Sequence, residues 1–146
     1  MKKIILVVFI FVFHSFPLFG SPNGNGIICK CIKCTFDKME RGYLFQYDGK
    51  KEGVREYYFK KENSKLFLVE EREINSFNDT PSHIFWYNFS GYELNRKTLI
   101  LKRKFGDNID KRQCEVFPSW DFAAEMEKIK EKYQNVLNVN KKDNRI

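Results

Sequence analysis

Ser82-His-Ile-Phe-Trp-Tyr-Asn-Phe-Ser-Gly-Tyr-Glu-Leu94, running through Asn95-Arg-Lys-Thr-Leu99 into Ile100-Leu-Lys-Arg-Lys104, is the stretch whose reading decides the fold. Aromatic residues crowd its first half: Phe85, Trp86, Tyr87, Phe89 and Tyr92. Such side chains favour half-buried strand surfaces, where they pack across neighbouring strands. Gly91 suggests a bulge or kink. Asn95 to Lys97 reads as a tight turn, because asparagine tolerates positive φ, and Thr98 to Lys104 then returns as the second strand of a hairpin.

The same pattern extends in both directions. Upstream, Tyr43 to Tyr47, Val54 to Lys60 and Lys65 to Ile74 are strand-like, parted by turn residues at Asp48 to Gly53 and Lys61 to Ser64. Downstream, Phe105 to Asn108 turns the chain and Arg112 to Phe117 forms a last strand carrying Cys114. Short strands at regular spacing predict an antiparallel meander of about six strands, either a twisted sheet or a partly open barrel. The period then changes. Phe122, Met126, Ile129, Tyr133 and Val136 recur at spacings of four and three, which lines one face of a helix over residues 119–137. Ser119 is its expected cap, and Asp121 suits the positive end of the helix dipole. The fold class is therefore α+β, mainly β, with one C-terminal amphipathic helix packed across a face of the sheet.

The other end of the chain points to location. Met1-Lys-Lys3, the apolar run Ile4 to Phe13 and the helix breakers Pro17 and Gly20 read as an export signal over residues 1–20. A membrane span needs roughly twenty apolar residues, about twice that run. Bulky Leu18 near the cleavage position and the apolar Phe16 to Phe19 leave an uncleaved anchor as the alternative. Residues 21–26, Ser-Pro-Asn-Gly-Asn-Gly, read as a flexible leader, 27–137 as a single domain and 138–146 as a polar tail. A periplasmic or secreted protein is expected. After removal of the signal, 24 basic residues face 19 acidic ones. That excess is too mild for a nucleic-acid partner.

Cys29, Cys31, Cys34 and Cys114 in an exported chain most simply make two disulfides. Cys31 with Cys114 would leave Cys29 for Cys34; Cys29 with Cys114 would leave Cys31 and Cys34 to close a Cys-Ile-Lys-Cys loop. Both pairings stay open. Bridging an N-terminal cysteine to Cys114 closes a loop of roughly 80 residues, worth on the order of 4 kcal/mol. Two chemical alternatives use the same residues. The four thiolates could hold a soft metal such as Zn or Cu(I), although three of them crowd into six positions instead of forming two separated pairs. Cys31 and Cys34 could exchange thiols and disulfides, but no strand before and long helix after the motif are there to lower the first thiol's pKa.

Little else carries chemistry. With His14 lost in the signal, His83 is the one remaining histidine, in a turn before the aromatic strand. No nucleophile elbow, phosphate loop or His-Glu-x-x-His occurs. Glu70, Glu71, Glu73 and Glu93 could supply paired carboxylates, yet a solvated strand end explains them as well. Lys97, Lys102, Arg103, Lys104, Lys111 and Arg112 lie near the aromatic strand and make a candidate strip for an anionic cell-surface polymer. Its plain alternative is a solvated edge whose lysines discourage aggregation.

Tyr92-Glu-Leu-Asn-Arg-Lys-Thr-Leu99 followed by Cys114-Glu-Val resembles small exported bacterial proteins of unknown function, which share an early Cys-x-Cys, this hairpin and a late cysteine. The resemblance implies a secreted β domain and transfers no activity; Cys34 departs from its pattern. Together these features predict a non-enzymatic binding or structural module, with no catalytic residue, metal or cofactor, whose partner is an anionic surface or a protein.

Overall fold

The computed structural model describes residues 21–35 and 37–143. The export signal read over residues 1–20 lies outside them. Nine strands precede one helix: β1 (Asn25–Lys33), β2 (Arg41–Tyr47), β3 (Glu52–Glu62), β4 (Lys65–Glu70), β5 (Phe77–Asp79), β6 (His83–Asn88), β7 (Ser90–Asn95), β8 (Ile100–Phe105), β9 (Asn108–Pro118) and α1 (Ser119–Asp143). They form a single antiparallel sheet in the order β4-β3-β2-β1-β9-β8-β7-β6-β5. The first strand thus lies against the last, and the sheet's two open edges belong to β4 and β5, which are consecutive in the chain.

The fold class is as the sequence implies, with nine strands in place of about six. Three local causes account for the difference. β1 runs through the cysteine cluster, whose alternation places Ile27 and Cys29 in the core and leaves Lys30 exposed. β5 occupies the expected break after Ile74. The aromatic stretch is two strands, because the chain reverses at Phe89, held at φ 53° between the paired residues Asn88 and Ser90. Gly91, read as a bulge, pairs in unbroken register with Tyr87 and Lys104. The sheet's register shift lies instead in β1, between Cys31 and Lys33.

Strand alternation sorts side chains onto two faces. On the inner face the two halves of the sheet curl onto each other. Tyr43 of β2 meets Trp86 of β6 at a ring separation of 5.4 Å, and Phe45 meets Phe77 of β5 at 5.6 Å. Ile27, Ile84, Leu94 and Leu101 complete this core. A bridge between Val54 of β3 and Asn75, just ahead of β5, ties the two sides of the curled sheet together, with both backbone N–H groups donating, at 2.7 and 2.9 Å.

α1 covers the outer face of the first half. Phe122 and Met126 are fully buried against Ile28, Phe59 and Leu66. Phe122 rests on Gly26 and Gly42, where an added Cβ would stand 2.2 and 2.5 Å from its ring. These glycines are packing sites, since only a bare backbone admits the ring. The buried stripe leaves the predicted line at its end: Leu137 packs inward while Val136 is exposed. The helix also continues past residue 137, to Asp143.

The segment read as a leader is built into the domain. Pro22 is buried, the Gly24 N–H donates to the Phe45 carbonyl at 3.0 Å, and the Gly24 carbonyl accepts from Ser119 N–H at 3.0 Å. Ser119 therefore starts the helix with its backbone N–H tied to the other terminus. Among the described residues, no helix is long and apolar enough to cross a membrane.

Candidate functional site

All four cysteines are oxidised, and of the two pairings left open by the sequence the molecule adopts Cys29 with Cys114 and Cys31 with Cys34. Cys29 and Cys114 are direct cross-strand partners on β1 and β9. Cys31 and Cys34 close the loop where β1 ends, and the chain then proceeds to β2.

At that end of the sheet the interior becomes charged. Arg41 is held between Asp37, whose carboxylate takes its Nε–H at 2.8 Å, and Glu56, which takes its terminal N–H. The Tyr92 hydroxyl donates to Glu56 Oε2 at 3.2 Å. Asp110 accepts the Thr35 N–H at 2.7 Å, and Arg103 donates to Ser90 Oγ at 3.2 Å with its guanidinium 5.8 Å from the Tyr92 ring centroid. Burial, reinforced by the Glu56 carboxylate, pushes the Tyr92 phenol up to about 12 and the Tyr43 phenol well above its usual value. A cavity of about 210 Å³ opens here between Asp37, Arg41, Arg103 and Asp110. Its charges answer one another, so the network chiefly ties Thr35 and Asp37 to the end of the core.

The basic strip expected from sequence is divided by strand alternation. Lys102, Lys104 and Lys111 are exposed on the outer face of β8 and β9. Arg103 and Arg112 point inward instead. Arg112 is 0% exposed and donates to the carbonyls of Met39 and Asp37, the first at 2.6 Å, so it ties down the segment Asp37 to Met39 and is not a surface residue. Its neighbours two positions away, Asp110 and Cys114, are buried on the same face. Lys97 is exposed but sits in the β7–β8 turn, at the opposite end of those strands from Lys104. That turn is held by Asn95, whose Oδ1 accepts the N–H groups of Lys97 and Thr98, while Leu99 takes the positive φ expected of the asparagine.

What the outer face gathers is two adjacent rows. One runs Lys111, Lys102, Glu93, Phe85 across β9 to β6; the other runs Ile109, Lys104, Gly91, Tyr87. Glu93 Oε1 lies 3.1 Å from Lys102 Nζ. Tyr87 is 71% exposed, and Phe85, Ile109 and the turn residue Phe89 are also open to solvent. α1 packs chiefly on β1, β2, β4 and the Gln113–Phe117 part of β9, leaving the outer face of β6, β7 and β8 largely to solvent. The sequence pointed to the lysines and the aromatic strand but not to the apolar turn. Phe89 was read within a continuous strand, since nothing about a phenylalanine signals a reversal.

The acidic candidates are kept apart. Glu70 pairs with Arg55 on β3, and Glu93 pairs with Lys102 on β8. His83 opens β6, its Nδ1 2.9 Å from Ser82 Oγ and its ring stacked on Phe85. Among the described residues, no three His, Cys, Asp or Glu side chains converge as a metal-ligand set. No family model matches the chain, and neither does any curated protein or solved structure.

Proposed function

We propose that this chain works outside the cytoplasm as a non-enzymatic binding module, stapled by disulfides, whose outer β6–β9 face holds an anionic surface. One observation carries the reading: alternation collects Lys102, Lys104 and Lys111 with Phe85 and Tyr87 on the half of the sheet that the helix leaves bare. Clustered ammonium groups beside aromatic faces suit a polyanion, whose charge they meet and whose rings or chains they stack against. The two disulfides support an oxidising compartment.

The test is titration of the exported protein with a soluble sulfated polysaccharide at low and at physiological salt. Binding that weakens with salt, and that is lost in K102E/K104E/K111E but kept in the equally charged control K50E/K51E/K65E, supports the reading. Equal binding by both triple variants would sink it. A second reading, thiol exchange at Cys31–Cys34, draws on the partial exposure of both residues at the end of β1. Preferential reduction of that bridge by a mild dithiol, with regain of oxidation of a thiol substrate, would favour it.

A further inference from the structure

The apolar residues next to the lysine rows remain unexplained by charge alone. Hairpins β6–β7 and β8–β9 turn at the same end of the sheet, because Tyr87, Gly91, Lys104 and Ile109 form one row just inside both turns. Phe89 caps the first hairpin and is 87% exposed, and Ile109, on the outer face just inside the second turn, is 49% exposed; Phe105 alternates to the inner side with Arg103 and lines the cavity there. Phe89 is also held at φ 53°, a left-handed conformation that a bulky side chain adopts only at a cost. Glycine would serve the turn better. A solvated apolar ring in a strained position has no structural benefit within the molecule, since it touches no core.

The order of side chains going back from this edge is informative. Phe89 comes first, Tyr87, Lys104 and Ile109 next, and Lys102, Lys111 and Phe85 follow two residues further along their strands. Two strand residues span about 7 Å, so Lys102 and Lys111 stand one headgroup depth behind Tyr87 and Ile109, with Lys104 beside the turn. That is the sequence of chemistry met on entering a lipid surface: acyl boundary, then phosphate. Lysine stems can lie along apolar surface while their ammonium groups reach the phosphates.

We infer that this edge docks on an anionic phospholipid bilayer, with Phe89 entering the acyl boundary beside Tyr87 and Ile109 while Lys102, Lys104 and Lys111 engage headgroup phosphates. The inference rests on the proposed anionic-surface reading and names its partner. Charge favours it over a protein partner, because three lysines stand on the outer face behind the apolar tip, outnumbering Glu93 in their row and Asp107 in the neighbouring turn, and a neutral apolar tip alone gives only weak interfacial binding.

The test is flotation of the exported protein with vesicles of phosphatidylglycerol and phosphatidylcholine, and with phosphatidylcholine alone. Phe89→Gly is the decisive variant, since it relieves the strained φ and so folds at least as well. Wild type should bind the anionic vesicles and not the neutral ones. Phe89→Gly should weaken vesicle binding roughly tenfold while leaving the soluble polyanion unaffected. Replacing each lysine should cost about fivefold on vesicles. In Phe89→Trp, added indole emission should shift to the blue on anionic vesicles and be quenched by brominated acyl chains. If Phe89→Gly floats as well as wild type and the lysine variants alone fail, adsorption is by charge only; this inference falls and the polyanion reading stands. No vesicle binding, or equal binding to neutral vesicles, also overturns it. Loss of neither ligand in K102E/K104E/K111E defeats the underlying reading instead.

Discussion

Cys29 and Cys114 face each other across the seam between the first and last strands, with Cα atoms 4.0 Å apart at a sequence separation of 85. That seam joins the two halves of the sheet, and its disulfide closes almost the whole β domain into one loop.

The two bridges should therefore differ in worth. In the chain-entropy model, a loop of this length contributes about 4–5 kcal/mol, whereas the three-residue separation of Cys31 and Cys34 contributes about 2 kcal/mol. C29A/C114A should lose most of the domain's stability and C31A/C34A much less, read from denaturant midpoints of the exported variants. Equal losses would show that the bridge's loop length is not what matters here.

Phe122 and the two glycines beneath it form a lock between α1 and the sheet. Gly26→Ala places a methyl 2.2 Å from the ring, and Gly42→Ala one at 2.5 Å, so each should destabilise by about 1–3 kcal/mol. Phe122→Ala should cost about 3–5 kcal/mol through the cavity it leaves. Thermal unfolding monitored by circular dichroism checks both. Pairing Gly26→Ala with Phe122→Leu should cost less than the sum of the single losses, because the shorter side chain vacates the space.

Alkali should unfold the protein over a definable window. Tyr92 and Tyr57 are each held up to about 12, both first by burial and then by a carboxylate, Glu56 for Tyr92 and Glu70 for Tyr57. A tyrosine in the unfolded chain ionises near pH 10. The folded form thus keeps protons that the unfolded form gives up; the stabilisation is whole below about pH 10 and is lost as pH rises through about 12. Tyr92→Phe should flatten that decline by up to about 1.4 kcal/mol per pH unit, measured by urea midpoints across the window. Tyr43→Phe should be neutral or stabilising at neutral pH, since the buried Tyr43 hydroxyl has no hydrogen-bond partner among the described residues.

Neighbouring basic residues on β9 should behave oppositely. Arg112→Leu strands the carbonyls of Asp37 and Met39 and should cost roughly 2–5 kcal/mol, with the segment Asp37 to Met39 gaining protease sensitivity. Lys111→Leu should change stability by less than about 0.5 kcal/mol while weakening anion binding. Comparable losses from the two would contradict the inward and outward assignment.

Much of the fold is legible in local pattern. Alternation with intervening turn residues announces the strands, a change of period announces α1, and cysteines after an apolar head announce bridges. These signals are local because one face of each element must meet a core. They do not say which strand meets which. Phe89 reverses the chain against its own preference, held in place by the pairing of β6 with β7. Arg112 read as surface charge because its type is usually exposed, yet Cys114 two positions on must face the core to reach Cys29, and alternation turns Arg112 in with it. The choice between two cysteine pairings, the union of β1 with β9, and the gathering of three lysines beside the apolar Phe89 turn each depend on register between segments distant in the chain. Register is settled by how Tyr43, Phe45 and Trp86 pack when the sheet curls, and that packing exists only once the whole chain has closed.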